Sequence, residues 1–503
     1  MTSPDIVIIG TGAGGGTIAR ALAPSGARIL ILERGDRLPF ESGEGTDLQF
    51  ERWEDGQGEP FRPRVHEGVG GSTRGYGAVL QRLRVEDFAA LEHEGGTSPG
   101  WPIGYAEFEP YYRVAESWYR VHGEAGIDPG EPWRSAPYPC PALPCQSEQG
   151  DIADGFRTLG LAPYPLPRGI VPRSGDRCAQ WTAVDSYAQG FDVADAHACG
   201  IVPALESKNV ELWTGATAIR LLSGDRKRIV AIDVERHGVR ETVRAGIVVV
   251  AAGTLNSAAL LLRSGNRPGD AGLANSSGMV GRCVMMHNIA ALRALRPRET
   301  GGSGVDGYLG VNDFYLRGPG FPWPMGHMQT ASREQSATIL RESRRFPARL
   351  VDRTTSWGTD WWVVGEDLPR PDNRVTVEPS GAVRVNWNAA NTVAHDRFVK
   401  TAKEMFRELG FRLTIAKKMT LATNIHHLGS MRFGDDPAIS VLDRWCRTHD
   451  FDNLYVVDGS FFPSAGAVDP ALTIIAQAIR VGEHIGGIRH TGQFAQTSPG
   501  RVA

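Results

Sequence analysis

Residues 5–35 read DIVIIGTGAGGGTIARALAPSGARILILERG, and they decide the fold. Asp5 to Ile9 is an apolar, β-branched run of strand length, which predicts a buried strand. The run enters a glycine-rich turn and then TIARALAPSG, whose apolar residues recur at helical spacing, with Gly26 as the stop. Arg28 to Glu33 is a second buried strand. Strand, helix and strand in immediate succession predict a right-handed β-α-β unit with parallel strands.

The turn carries Gly10-x-Gly12-x-x-Gly15. The first glycine permits the tight turn, the second lets a pyrophosphate approach the backbone, and the third lets helix and strand pack closely. The helix N-terminus then faces the phosphates. Glu33 closes the next strand, where a carboxylate suits a ribose diol and repels a 2′-phosphate. A dinucleotide is expected here, and this motif alone leaves FAD and NAD open.

Working outward, the chain has 503 residues, with 61 Gly and 32 Pro. That proportion lies above ordinary usage and below that of low-complexity chains, so it means many turns in a folded protein. A net charge of −3 gives no electrostatic case for nucleic acid or an anionic membrane surface. The longest apolar runs, such as Ile247 to Ala252, are too short to span a bilayer. The N-terminus lacks the layout of a secretory signal, so a cytoplasmic protein is expected. Six cysteines (Cys140, Cys145, Cys178, Cys199, Cys283 and Cys446) form no CxxC pair and read as free thiols, with no metal site.

Regularity fades over 36–75 and returns as an aromatic-rich helix within 100–120. Residues 121–200 are Pro-rich and read as excursions over a surface. Strands are expected at Val210 to Leu212, Ala218 to Leu222, Ile229 to Glu235 and Ile247 to Ala252. A helix, LNSAALLLRS, follows and ends at Gly265. Residues 286–423 alternate strands and loops. Their basic stretch, Arg333 to Arg353, reads as a solvated helix face, and a helix is expected over 396–410. The tail after Arg489 reads as disordered.

Four blocks in this order resemble the glucose–methanol–choline (GMC) flavin oxidoreductases. They are residues 5–35; VGGSTRGYGAVLQRLRVEDF (69–88) with WPIGYAEFEPYY (101–112); VVVAAGTLNSAALLLRSG (248–265) with GLANSSGMVGR (272–282); and HHLGSMRFG (426–434) with the run from Ser440 to Ile485. Ala258 is a mild departure, since Pro or Ser is usual there. The resemblance implies an α/β fold, α+β overall. A Rossmann-like FAD domain would draw on 1–100, 200–285 and 424–490. A substrate domain on a mostly antiparallel sheet would draw on 101–199 and 286–423, with 491–503 as the tail. It also implies FAD near Gly71, Ser72, Arg74 and Gly75, at Ala218, at Gly253 and Asn256, and at Asp458. Several members attach flavin covalently to a His in the loop that here reads Ser72-Thr73-Arg74, so non-covalent FAD is expected. Arg74 is equally open to a structural ion pair.

The family's H-x-x-G-[ST] pattern falls on His426-His427-Leu428-Gly429-Ser430, which assigns the catalytic base to His426. Neighbouring residues on an extended chain face opposite sides, so His427 is the lesser candidate. The second catalytic position falls on Asp469 in GAVDPALT, where relatives carry Asn or His. Asp469 and Pro470 also make a strong helix start, a cap and its first residue. The helix N-terminus at Ala471, Leu472 and Thr473 would face the flavin N1–C2=O edge. An ionised Asp469 there needs a positive partner, either His426 as imidazolium or a substrate amine.

The implied activity is oxidation of a CH–OH group to a carbonyl. His426 takes the hydroxyl proton and flavin N5 takes the hydride. The substrate would be a small alcohol, such as a sugar, amino sugar, cyclitol or glycoside. The electron acceptor, O2 or another, is not legible. A non-redox lyase that keeps FAD structurally is the alternative, and a flavin-bearing binding or sensor protein is a third. Trp323, Trp357, Trp361 and Trp362 are candidate sugar-stacking rings.

Overall fold

The computed structural model describes residues 3–36, 52–143, 147–172, 191–224, 227–265, 271–296, 309–341, 349, 351, 358–488 and 490. Its first layer is a five-stranded, wholly parallel sheet. In spatial order the strands are Val210–Trp213, Ile29–Leu32, Ile6–Ile9, Ile247–Val250 and Leu454–Val456. The strands of residues 6–9 and 29–32 are neighbours joined through helix Ala13–Leu22, as the β-α-β reading expects. Val248, Val249 and Val250 are fully buried. Continuous apolar strands of this kind need cover on both faces. Helix Ala471–Gly486 supplies part of it and packs against helix Ala13–Leu22. A methyl group on Gly482 would lie 2.6 Å from Ala21 Cβ, so the glycine sets how closely these helices approach.

The second layer is a six-stranded antiparallel sheet. Its order is Leu413–Lys418, Asn288–Leu295, Gly358–Gly365, His327–Thr330, Leu309–Val311 and Tyr164–Pro165. The two-residue period of a strand explains its two cores. Ala290, Leu292 and Ala294 join Phe398, Ala402 and Phe406 of helix Thr392–Glu408. Ile289, Ala291 and Leu295 join Ala337, Ile339 and Leu340 of helix Arg333–Arg341. A third sheet is ordered His427–Ser430, Arg282–Met286, Arg374–Val377, Val383–Asn386 and Trp53–Asp55. The chain therefore passes from this sheet into the antiparallel one at His287.

The basic stretch begins in helix Arg333–Arg341; its described basic side chains, Arg341 and Arg349, are exposed, as a solvated face expects, while the helix's apolar face packs on the sheet and much of the remainder lies outside the described residues. Other expectations are corrected. The excursion 121–200 contains helix Ser147–Thr158. Gly150 and Gly155 hide that helix from propensity. A Cβ on Gly155 would lie 2.9 Å from Leu409 Cδ2, so packing demands the glycine. Strand Val239–Arg244 was missed because its exposed edge is polar; it follows a His237-Gly238 turn with two positive φ values. Cys140 is disulfide-bonded, so it is not a free thiol. Sparse cysteines do not show which two the fold brings together. Cys199, Cys283 and Cys446 are free and buried. The tail expectation for 491–503 lies outside the described residues, as does Trp357. Among the described residues, no helix is long and apolar enough to cross a membrane.

Candidate active site

A cavity of about 870 Å³ opens at the carboxyl ends of the parallel strands, the place where open α/β sheets bind ligands. Its floor is the first motif. Gly10 has φ +100°, and a Cβ there would lie 2.3 Å from Ala251 O. A Cβ on Gly15 would lie 2.0 Å from Gly10 O, which is close helix–strand packing. A Cβ on Gly12 would meet nothing within 4 Å, because that glycine faces the cavity. The three glycines thus have three different surroundings. The second glycine-rich loop closes over the first: a Cβ on Gly71 would lie 3.0 Å from Gly12 Cα.

Glu33 lines the cavity and is buried. Its Oε2 accepts from Thr11 N at 3.2 Å and from Thr11 Oγ1 at 2.5 Å, and its Oε1 accepts from Gly35 N at 3.0 Å. Burial raises its carboxyl above the ordinary range, and these donors act against the rise. Asp458 also lines the cavity, and it fastens the turns of two strands together. Its Oδ2 accepts from Gly253 N at 2.9 Å and Ser257 Oγ at 2.5 Å; its Oδ1 accepts from Ser460 N at 3.0 Å. Gly253, Asn256, Ala218, Gly71, Ser72 and Gly75 all line the same wall. Asn256 Oδ1 is buried with no hydrogen-bond partner. Such an orphan is costly unless a ligand or water meets it. Backbone open at Gly12 and Gly253 and an unpaired amide oxygen in the same cavity fit a dinucleotide such as FAD. Arg74 does not line the cavity; its Nη1 lies 2.7 Å from Asp195 Oδ2, so the ion-pair reading holds for it.

His426, His427 and Asp469 line the far end of the same cavity. The motif around the histidines is pinned by two successive left-handed residues, Gly429 (φ +74°) and Ser430 (φ +73°). A Cβ on Gly429 would lie 2.2 Å from Cys283 O, and Ser430 Oγ donates to Thr254 O at 2.9 Å. Asp469 does not cap its helix. The helix starts at Ala471 after Pro470, with no side-chain cap bond, which corrects the capping expectation. The carboxylate turns away instead. Its Oδ1 lies 2.9 Å from His426 Nε2, and its Oδ2 accepts from Gln329 Nε2 at 2.8 Å. Burial alone would raise its pKa, but the His426 bond and charge, with the Gln329 amide, hold it below the ordinary carboxylate range. The partner of the carboxylate is therefore a side chain of the protein, His426. Of the three helix-start residues, Ala471 lines the cavity, Leu472 enters the core, and Thr473 Oγ1 bonds Tyr112 OH at 2.9 Å. The first N–H groups of this helix lack intrahelical carbonyls and sit at the cavity wall.

Residues missed in the sequence complete the wall. Gln329 and Thr330 come from the antiparallel sheet, Ile339 from helix Arg333–Arg341, and Met419 and Ile425 from the segment before His426. Trp362 lines the cavity, Trp361 is a core ring against Phe156 and Phe406, and Trp323 is on the surface. Behind Gln329, His327 Nε2 faces Gln329 Oε1 at 2.9 Å and Nδ1 faces Asn312 Oδ1 at 2.7 Å. Asn312 Nδ2 reaches Asp128 Oδ2 at 2.7 Å. Two carboxylates therefore orient the two amides between them. Nothing in local spacing signals these partners, because each lies more than a hundred positions from Asp469 along the chain.

The family model described as GMC oxidoreductase matches residues 155–289 with its N-terminal part and 369–478 with its C-terminal part. The chain is 30% identical to paromamine 6′-oxidase of Streptomyces fradiae, over 97% of this chain and 92% of that protein. It is 27% identical to 2-methyl-1,2-propanediol dehydrogenase of Mycolicibacterium austroafricanum, over 96% and 95% respectively. The crystal structure of pyridoxine 4-oxidase from Mesorbium loti superposes with a TM-score of 0.70 at 20% identity, covering 97% of this chain and all of that one, a likeness of fold.

Proposed function

The chain belongs to the GMC oxidoreductase family and is an FAD-dependent oxidoreductase of alcohol groups, and on that premise we propose that it oxidises a hydroxyl of a sugar-like alcohol with the His426–Asp469 pair as its general base. The observation that carries the reading is the 2.9 Å contact of His426 Nε2 with Asp469 Oδ1 in the wall of the cavity that holds the glycine cradle. The substrate class is supported by the paromamine 6′-oxidase among the relatives.

Bound FAD supplies the acceptor for the two electrons of the oxidation. The glycine turns at Gly10–Gly15 and Gly71–Gly75, with Glu33, Gly253 and Asn256, would hold it without covalent attachment. His426 and Asp469 handle the proton as one unit. Without the proton the pair carries one negative charge and faces the cavity. The substrate hydroxyl gives its proton to this pair, which then holds it between His426 Nε2 and Asp469 Oδ1 as imidazolium and carboxylate. The ion-paired arrangement is the proton-loaded form of the pair. Gln329 holds the second carboxylate oxygen, so Asp469 keeps its orientation as the proton moves. Trp362, Ile339 and Met419 offer an apolar face against which a ring can lie.

Anaerobic flavin bleaching tests the activity, with paromamine, glucose, myo-inositol and 2-methyl-1,2-propanediol as probes. An alcohol that bleaches the flavin supports the oxidoreductase; a flavin inert to all four would favour the lyase alternative. His426→Ala should retain FAD and reduce the bleaching rate by about 10²-fold to 10⁴-fold; an unchanged rate would remove His426 as base. Asp469→Asn should slow aminated and plain alcohols alike, because its charge partner is His426. A loss confined to aminated alcohols would reassign Asp469 to amine recognition.

A further inference from the structure

One fully buried histidine beside the site is absorbed by no motif. His287 stands where strand Arg282–Met286 gives way to strand Asn288–Leu295, in two different sheets. Met286 pairs antiparallel with His427, so the register carries His287 up to His426. Asn424 ties the two backbones together. Its Nδ2 donates to His287 O at 2.9 Å, and its Oδ1 accepts from His426 N at 3.1 Å. The rings meet edge to face at 90°, with Nδ1 of one 2.9 Å from Nδ1 of the other. The remaining nitrogen of His287, Nε2, faces Ala465 O at 3.2 Å.

Counting protons fixes the tautomers. A carbonyl oxygen only accepts, so His287 Nε2 carries a hydrogen. A neutral imidazole has one N–H, which leaves His287 Nδ1 as a lone pair. Two ring nitrogens in hydrogen-bond contact share one hydrogen, so that hydrogen sits on His426 Nδ1. In the proton-loaded form a second hydrogen sits in the 2.9 Å contact of His426 Nε2 with Asp469 Oδ1, and this is the one the pair loses, because that contact lines the cavity whereas the Nδ1 contact lies against fully buried His287; Nε2 is then the basic nitrogen. Building on the base assigned above, we propose that His287 is a positioning residue that selects the Nδ1–H tautomer of His426 and so makes Nε2 the nitrogen that takes the substrate proton.

The neutrality of His287 has a physical cause. Burial, followed by the like charge of His426, pulls its pKa to about 4, while the Ala465 carbonyl, Asp469 and Glu366 push upward without prevailing. The other titratable neighbour of His426 is His427, itself pulled to about 4 by burial and then by His426. Asp469 faces His426 from the opposite side.

The test is substrate-free. Holoenzyme is labelled with ¹⁵N-histidine, and the signals lost in His426→Ala identify His426. Above the pH at which the pair loses its proton, the protonated nitrogen of His426 should be Nδ1; a proton on Nε2 alone would overturn the proposal. In His287→Ala the pKa of His426 should fall by at least about half a unit, because an acceptor on Nδ1 stabilises imidazolium more than imidazole. His287→Gln, whose amide oxygen can accept, should restore part of that shift. An unchanged tautomer and pKa in folded, FAD-loaded His287→Ala would also overturn it. Should that variant fail to fold, the wild-type tautomer decides. Failure of the base assignment is separate: it would appear as retained alcohol-driven bleaching in His426→Ala.

Discussion

At the residue scale, neighbouring glycines of one motif do different work. Gly12 has ordinary backbone angles and nothing within 4 Å of its would-be Cβ, whereas Gly14 would drive a Cβ to 2.0 Å from Val457 O. Gly12→Ala should therefore leave the melting temperature of the FAD-stripped protein nearly unchanged while weakening FAD binding by about tenfold or more, a loss of about 1.4 kcal/mol. Gly14→Ala should destabilise the stripped protein by at least about 1–3 kcal/mol, since backbone yields poorly to overpacking. Thermal melts and FAD titration of the two variants separate the roles; equal melting losses would refute the distinction. Glu33 shows the same economy, since its carboxylate holds Thr11 and Gly35 while still lining the cavity.

At the element scale, helix Thr392–Glu408 carries a pH-sensitive residue away from the site. His395 is buried and its Nε2 bonds Val363 O at 3.1 Å. Burial, the first cause, pulls its pKa from 6.5 to about 4. The folded value lies below the unfolded one, so its contribution is intact above pH 6.5 and is lost as pH falls toward 4, where the unfolded chain takes up the proton first. Between pH 7 and 5 the wild type should lose about 2 kcal/mol relative to His395→Gln. Denaturant melts at the two pH values check this; parallel losses in both proteins would contradict it. Helix Ala471–Gly486 teaches a different point. Asp469-Pro470 has the sequence of a cap, yet the carboxylate left the helix because a buried charge gains more from His426 and Gln329 than from backbone N–H groups.

At the scale of the whole molecule, the cavity wall draws on the parallel sheet, the antiparallel sheet and the strand Trp53–Asp55 of the third. A ligand that bridges all three should stabilise them together. FAD should raise the melting temperature of the stripped protein in a concentration-dependent way, by about 2.7 kcal/mol at a hundredfold excess over Kd. Two separate transitions, with only one responding to FAD, would contradict that coupling. The β-α-β unit and the close packing at Gly10 and Gly15 were legible because local spacing sets dihedral angles and faces directly; Glu33, His426 and Asp469, read from motif position and resemblance, line one cavity. Helix Ser147–Thr158 and the polar edge strand were not legible, because packing and exposure overrode propensity there. The amino-acid sequence by itself determined a glycine-rich β-α-β turn and marked the two positions, His426 and Asp469, proposed as the proton-handling pair. Only the tertiary structure decided what those positions face. Gln329 and His287 reach Asp469 and His426 across 140 and 139 positions of chain. Sheet pairing and register, which are long-range choices, bring them together, and periodicity along one segment holds no record of them.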